Sequence, residues 1–340
     1  MKTRLLAALF LPLLWASPAL AQKTDVVVMI NGDRNTGEIK SYDEGRLLLS
    51  TSNQGDIKIK WAKIASIESD KTFDLELTDG AHIFGTLQPS EPAGKLKVVL
   101  PEGPRTLEFL EVVRIAPVYQ RFWSRLDGSF DMGFTYTEAN HFVQFNLNGE
   151  AFYRTKDFKI STYLTAFLSK QEGVTSSQRA SWTFDYARFL PRRWFVGLLG
   201  GLERNRDLGL NLRAFAGGGV GRYFIQTNQT QLGALVGVTG NREEPVEGDA
   251  RYSAEAILAG DYSRFMYDFP NLTLGARLQV IPSLTDTGRV RLQADARIRR
   301  EIISDLYVSV TIFDSYDSRP PTEGAAKNDW GPVISVGYKW

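Results

Sequence analysis

The sequence predicts an all-β protein: a transmembrane antiparallel up-and-down β-barrel of about twelve strands, preceded by two small β-barrel repeats. Three observations predict it. The chain closes on Trp330-Gly-Pro-Val-Ile-Ser-Val-Gly-Tyr-Lys-Trp340, where Trp330, Ile334, Val336, Tyr338 and Trp340 alternate with mostly small or polar residues. A period-2 strand of that length suits a bilayer-spanning strand with one face on lipid and one on water. The same alternation returns from Leu126 onward, with charged residues collected on one face. Short connections also alternate with longer polar ones, as in bacterial barrels.

Residues 1–21 read as a cleaved secretory signal, with Lys2 and Arg4 ahead of an apolar run from Leu5 to Trp15. Ala19 and Ala21 frame a small-x-small cleavage site before Gln22. Pro12 and Pro18 interrupt the run, which is also short of the roughly 20 apolar residues a membrane helix needs. Gln22 in place of a cysteine excludes lipoprotein-type acylation. The chain has no cysteine, which excludes disulfides and thiolate metal sites. A formal net charge of +1 gives no basis for nucleic-acid binding.

Two small β-modules are expected next, over 22–70 and 71–118, from an internal repeat with an offset of 48 residues. Asn31-Gly32 matches Asp79-Gly80, Gly37 matches Gly85, Trp61 matches Phe109, and Ile67 matches Ile115. Asn-Gly and Asp-Gly between alternating runs are hairpin signals. Each unit therefore reads as a small, bent barrel of about five short strands, with Trp61 and Phe109 in the core rather than on a ligand platform. Residues 119–125 form a linker.

The barrel, residues 126–340, divides into segments at about 126–137, 141–154, 158–170, 178–189, 194–205, 210–224, 229–242, 251–263, 271–282, 289–301, 306–317 and 329–340. The tenth is the clearest: Val290, Leu292, Ala294, Ala296 and Ile298 alternate with Arg291, Gln293, Asp295, Arg297 and Arg299. A helix would scatter these charges, whereas a pleated strand puts them on one face. The lumen-facing candidates are thus Arg277, Arg291, Asp295, Arg297 and Arg299. Arg291, Arg297 and Arg299 are expected to pair with Asp295 and neighbouring carboxylates, or else to line an anion path. Gly200-Gly201 and Gly217-Gly-Gly219 mark bends or close backbone approach rather than a phosphate cradle. Longer loops are expected at Glu172–Ser177, Glu243–Ala250 and Ser318–Asn328. A soluble sandwich is disfavoured because charges recur on the polar face of nearly every strand while Trp182, Tyr186 and Trp194 lie toward strand ends.

No catalytic or metal-binding set is recognisable. His82 and His141 are the only histidines. The lipid-facing His-x-Ser of twelve-strand outer-membrane phospholipases would need serine at Val143. No enzyme activity, cofactor or metal is expected.

The signal segment, the β-rich leader with its Asn/Asp-Gly turns and the last strands through Ser335-Val-Gly-Tyr-Lys-Trp340 resemble the domain-of-unknown-function 481 family. Its members are described as salt-induced outer-membrane proteins of Gram-negative bacteria. Val26–Asp43 followed by Leu47-Leu-Leu resembles the first motif of Sm-like and SH3-like small β-barrels. The first resemblance implies a barrel in the bacterial outer membrane. The final aromatic on the final strand resembles the C-terminal signal of bacterial outer-membrane barrels, so Tyr338 and Trp340 are the expected signal for the barrel-assembly machinery, and the even strand count puts the leader in the periplasm. Expected partners are outer-membrane lipid, that machinery and a periplasmic protein or peptidoglycan, with no nucleic acid. The expected role is structural, in envelope maintenance; the alternative is a narrow diffusion channel for small polar or anionic solutes.

Overall fold

A computed structural model describes residues 23–90, 94–118, 122–138, 141–171, 174–266, 271–303 and 305–339. Ala19, Ala21 and Trp340 lie outside the described residues.

The amino-terminal part is built from β1 (Asp25–Met29), β2 (Arg34–Asp43), β3 (Arg46–Ser50), β4 (Asp56–Lys60), β5 (Ile64–Leu77), β6 (His82–Gln88), β7 (Lys95–Leu100), β8 (Gly103–Glu108) and β9 (Val112–Pro117). The repeat is visible in the pairing. Val27 faces Ile67 between β1 and β5, and 48 residues later Leu75 faces Ile115 between β5 and β9. The two units are nevertheless not separate. The expected boundary at 70/71 falls inside β5, which ends the first unit and begins the second without a break. The register shift between Ser69 and Phe73 lets the strand bend there instead of turning. β9 also pairs with β2, so β1, β2, β9 and β5 close into a four-strand ring. One core fills both units: Val27, Ile39, Leu49, Ile67, Leu75 and Ile115 belong to a single buried cluster. At its centre the repeat-related aromatics meet: Trp61 lies edge-on to Phe109 at 4.8 Å and donates Nε1–H to the Phe109 carbonyl at 2.7 Å. Tyr42 stacks on Trp61 at 3.8 Å.

The remainder is a closed barrel of twelve antiparallel strands, each bonded to its sequence neighbours. They are β10 (Leu126–Thr137), β11 (Phe142–Arg154), β12 (Phe158–Gln171), β13 (Val174–Leu190), β14 (Trp194–Asn205), β15 (Leu210–Gln226), β16 (Thr230–Pro245), β17 (Arg251–Met266), β18 (Leu272–Pro282), β19 (Val290–Ile303), β20 (Leu306–Asp317) and β21 (Asn328–Lys339). Every segment expected from the alternation forms a strand. Closure comes from β10 on β21, with Phe130 opposite Tyr338 and Met132 opposite Val336. The loop expected at Glu172–Ser177 is corrected: β13 begins at Val174, because Thr175 and Ser177 continue the ladder against Lys170 and Ser169.

The wall is inverted relative to a soluble core. Trp182, Leu198, Val236, Leu258, Ile312 and Ile334 stand exposed on its outside, while Asp131, Arg213, Glu243, Glu255 and Arg291 are buried within. An outward apolar belt over a polar interior is the surface a bilayer selects. Gly217, Gly219 and Gly237 allow β15 and β16 to approach closely; a Cβ on Gly217 would overlap the Val238 carbonyl oxygen. The two barrel ends differ. One has five short connections, at 155–157, 191–193, 227–229, 267–271 and 304–305 (the turn end); the other carries the longer segments 246–250, 283–289 and 318–327 (the loop end).

Candidate functional site

The alternation of each barrel strand sends its charged residues inward, and there they find partners on other strands. Toward the loop end, Arg213 of β15 meets Glu243 of β16 at 2.7 Å and Glu203 of β14 at 2.8 Å. Arg289, just before β19, joins Glu243 at 2.8 Å to Asp317 of β20 at 2.6 Å. Arg291 is ion-paired with Glu255 of β17, which also accepts from Asn241 at 2.8 Å. These side chains are almost fully buried. Buried ions lose several kcal/mol of hydration each, so they are tolerated only when mutually satisfied. Strands β16 and β20, four apart round the wall, are thereby tied across the bore. Above them, Thr322 of the 318–327 segment donates its hydroxyl to the Gly209 carbonyl at 2.7 Å, and Leu208, Leu210 and Pro321 are buried there.

A second tier lies deeper. Arg277 of β18 holds Asp261 of β17 at 2.7 Å and lies 4.9 Å from the ring centroid of Tyr163 on β12, the strand diametrically opposite. Arg299 reaches Glu150 of β11 at 3.1 Å, with Arg297 at 4.0 Å. Arg299 also packs over Tyr307, whose hydroxyl donates to Asp131 at 3.3 Å.

The structure therefore brings Arg277, Arg291, Arg297 and Arg299 to the lumen face and pairs each with a carboxylate. It corrects the partner expected for Arg291, Arg297 and Arg299. Asp295 has no ion pair among the described residues; those three arginines use Glu255 and Glu150 instead. Side chains from facing strands converge across the narrow bore, and the arginines meet those carboxylates there. Tyr338 is half-exposed on the outer wall, bonded into the closing seam between β10 and β20.

The feature that sequence reasoning missed lies at the turn end, where the amino-terminal domain sits over the barrel mouth. All five short connections touch it. Lys156 lies 5.3 Å over the Phe84 ring, Arg193 packs beside Gly80, and Asn228 hydrogen-bonds Tyr42. Asn271 accepts from Arg46 at 2.8 Å, and Asp305 is ion-paired with Lys58. Arg46 also pairs with Glu301 at 2.7 Å, and Lys339 of the last strand with Glu44 at 3.2 Å. Near the middle of this seat, Glu76 is buried and holds Arg154 at 2.8 Å while accepting from Gln226 at 2.6 Å. The exposed rim pairs each contribute about 0–1 kcal/mol. The buried Glu76 group carries more, because losing one member leaves a charge unmatched.

Local electrostatics in the domain follow from the same crowding. The Asp74 carboxylate, 2.8 Å from His82 Nδ1, holds the imidazole above its ordinary value. Burial lowers Arg114 despite the carboxylates of Asp43, Glu76 and Asp74 nearby. Burial also raises the Tyr42 phenol. The seat did leave a trace in the repeat. Where the first unit has Val26 and Val28, the second has Asp74 and Glu76, a break in the apolar pattern at the positions that meet the barrel and His82.

Residues 130–340, the barrel from β10 onward, match the family described as protein of unknown function, DUF481. The chain belongs to the DUF481 family. Among solved structures, this DUF481 chain is similar to the NanC porin, with 12% identity, 63% of this chain and 100% of that one covered, and a TM-score of 0.41. It is also similar to the β domain of the Bordetella autotransporter BrkA, at 11% identity, 63% and 97% coverage and a TM-score of 0.32. A third is a loop-deletion mutant of OmpT, an outer membrane protein of Vibrio cholerae, at 13% identity, 79% and 96% coverage and a TM-score of 0.24. The comparison with curated proteins finds no match. The architecture of this DUF481 chain is that of an outer-membrane β-barrel: an even strand number, short connections at one end, longer ones at the other, and an apolar outer belt.

Proposed function

We propose that this chain is a non-enzymatic bacterial outer-membrane protein whose barrel is held closed and serves a structural, envelope-maintaining role. The turn end faces the periplasm, as short connections do in bacterial barrels, with the amino-terminal domain there as a seated cap. One observation carries the reading: all five short connections contact the domain, over a lumen whose arginines are already matched by carboxylates. A diffusion channel for anions needs free cationic groups along an open path. Arg291, Arg297 and Arg299 are engaged, which favours the closed barrel. Residues 1–21 export the chain, and Tyr338 with Trp340 serves recognition by the barrel-assembly machinery. A periplasmic protein or peptidoglycan meets the cap on the surface that the seat leaves free.

Planar-bilayer recording of the purified mature chain tests this. The expected result is no steady conductance. Sustained openings of the intact protein, diminished by Arg297→Ala, overturn the closed-barrel reading in favour of the channel.

A further inference from the structure

The outer wall at the turn end carries a pattern that neither the lumen nor the seat explains. Four strands running toward that end place an arginine on the lipid-facing side shortly before they finish: Arg188 in β13, Arg222 in β15, Arg264 in β17 and Arg300 in β19. Each shares its face with exposed apolar residues, as Arg188 does with Trp182 and Phe184, and Arg300 with Ile298. Their cross-strand neighbours are apolar or aromatic in three cases: Phe158, Trp194 and Leu272 face Arg188, Arg222 and Arg300. The Arg222 guanidinium lies 5.5 Å from the Trp194 ring centroid, and its buried Nε has no hydrogen-bond partner. Arg264 donates to Thr230 Oγ1 at 2.7 Å. Among the described residues none of the four is in an ion pair. No described carboxylate stands on the outward face of the strand ends around them.

The loop end is built differently. There the outward Arg242 is neutralised by Glu244 at 2.6 Å, and Asp314 of β20 also stands on the outer face. Among the described residues, the outward face of one rim is mixed in sign and that of the other is cationic.

An arginine at headgroup depth keeps its stem in hydrocarbon and its guanidinium at the interface. The planar fork matches the paired oxygens of a phosphodiester. With no acid beside it, a zwitterionic headgroup would bring its ammonium against like charge, whereas a headgroup of net negative charge meets only attraction. We propose that this collar is a binding site for anionic glycerophospholipid, with the arginine forks holding headgroup phosphodiesters. The leaflet it occupies rests on the orientation proposed above, but the headgroup preference does not.

Native mass spectrometry of the full chain in micelles doped with equal amounts of phosphatidylglycerol and phosphatidylethanolamine tests the site. The expected result is phosphatidylglycerol retained over phosphatidylethanolamine by about threefold or more, given the usual gain per basic residue at an anionic surface. The combined Arg188→Gln, Arg222→Gln, Arg264→Gln and Arg300→Gln variant is expected to lose the preference, and the matching four lysine substitutions to keep it. Equal retention by the unmodified chain, or an undiminished preference in the glutamine variant, overturns the proposal. Should the glutamine variant fail to refold, the unmodified chain decides: a preference that falls as salt rises supports the site, and one indifferent to salt overturns it. A conducting barrel would sink the proposed function and leave this result untouched.

Discussion

The amino-terminal domain and the barrel solve the same problem in opposite directions. The domain folds around Ile39, Leu49, Phe73 and Leu75, all removed from solvent, and keeps most of its charges at the surface, with Asp25 and Glu76 as buried exceptions. The barrel turns its aliphatic and aromatic residues to the exterior and buries Arg213, Glu243, Glu255 and Asp317. Both are β-sheets with period-2 sequences, so alternation alone does not say which face is the core. The surrounding solvent decides: water makes apolar burial favourable for the domain, while lipid removes that drive from the barrel and rewards internal satisfaction of polar groups. Packing failures should therefore damage the first region and charge imbalance the second.

The sharpest test exchanges the two kinds of damage. Arg213→Ala leaves Glu243 and Glu203 facing each other across a gap, and is expected to destabilise the barrel by about 3–5 kcal/mol. Leu75→Ala is expected to cost about 2–5 kcal/mol in the domain alone. Urea unfolding of the refolded protein in micelles, followed by heat-shifted gel mobility for the barrel and protease resistance for the domain, separates the two. A barrel indifferent to Arg213→Ala would break the comparison. Next in size is the seam between the regions. Glu76→Gln keeps the shape but removes the charge opposite Arg154, and should loosen the seat by about 1.5–3 kcal/mol. The loosening would appear as faster hydrogen exchange in 155–157 and 227–229, with the domain core unchanged. Smallest is a pH effect in the domain. His82 is held above its ordinary value near 6.5, so its pair with Asp74 stabilises fully below that pH and fades as pH rises through the raised value. The expected change is under about 1 kcal/mol for this partly exposed pair. His82→Asn should flatten it in parallel melts at pH 6 and pH 9.

The strands of the barrel were legible because a lipid-facing wall forces strict alternation over lengths that a turn must end. Arg291 to Arg299 could be assigned to one face for the same reason. Their partners could not, since period reports which side a residue faces and nothing about what stands across the bore: Arg299 finds Glu150, and Arg291 finds Glu255, through closure of the whole cylinder. The repeat was legible from its glycines and aromatics, yet a 48-residue offset divides the sequence at 70/71 without saying whether the backbone breaks there. In the structure the strand bends through Ser69-Asp70-Lys71. The seat was hidden for a related reason. Glu76 and Arg154 are each ordinary polar residues until two separately folded surfaces meet.

The unbroken run of β5 has a further consequence. A chain cut after residue 70 would keep Ile64–Ser69 against β1 but lose the length of β5 that holds β9, and with it the closing contact of Ile115 on Tyr42. Half an oily interior would then lie open to water. Duplication here has produced two copies that cannot be parted, so trimming, swapping or transplanting either one should be an all-or-none operation.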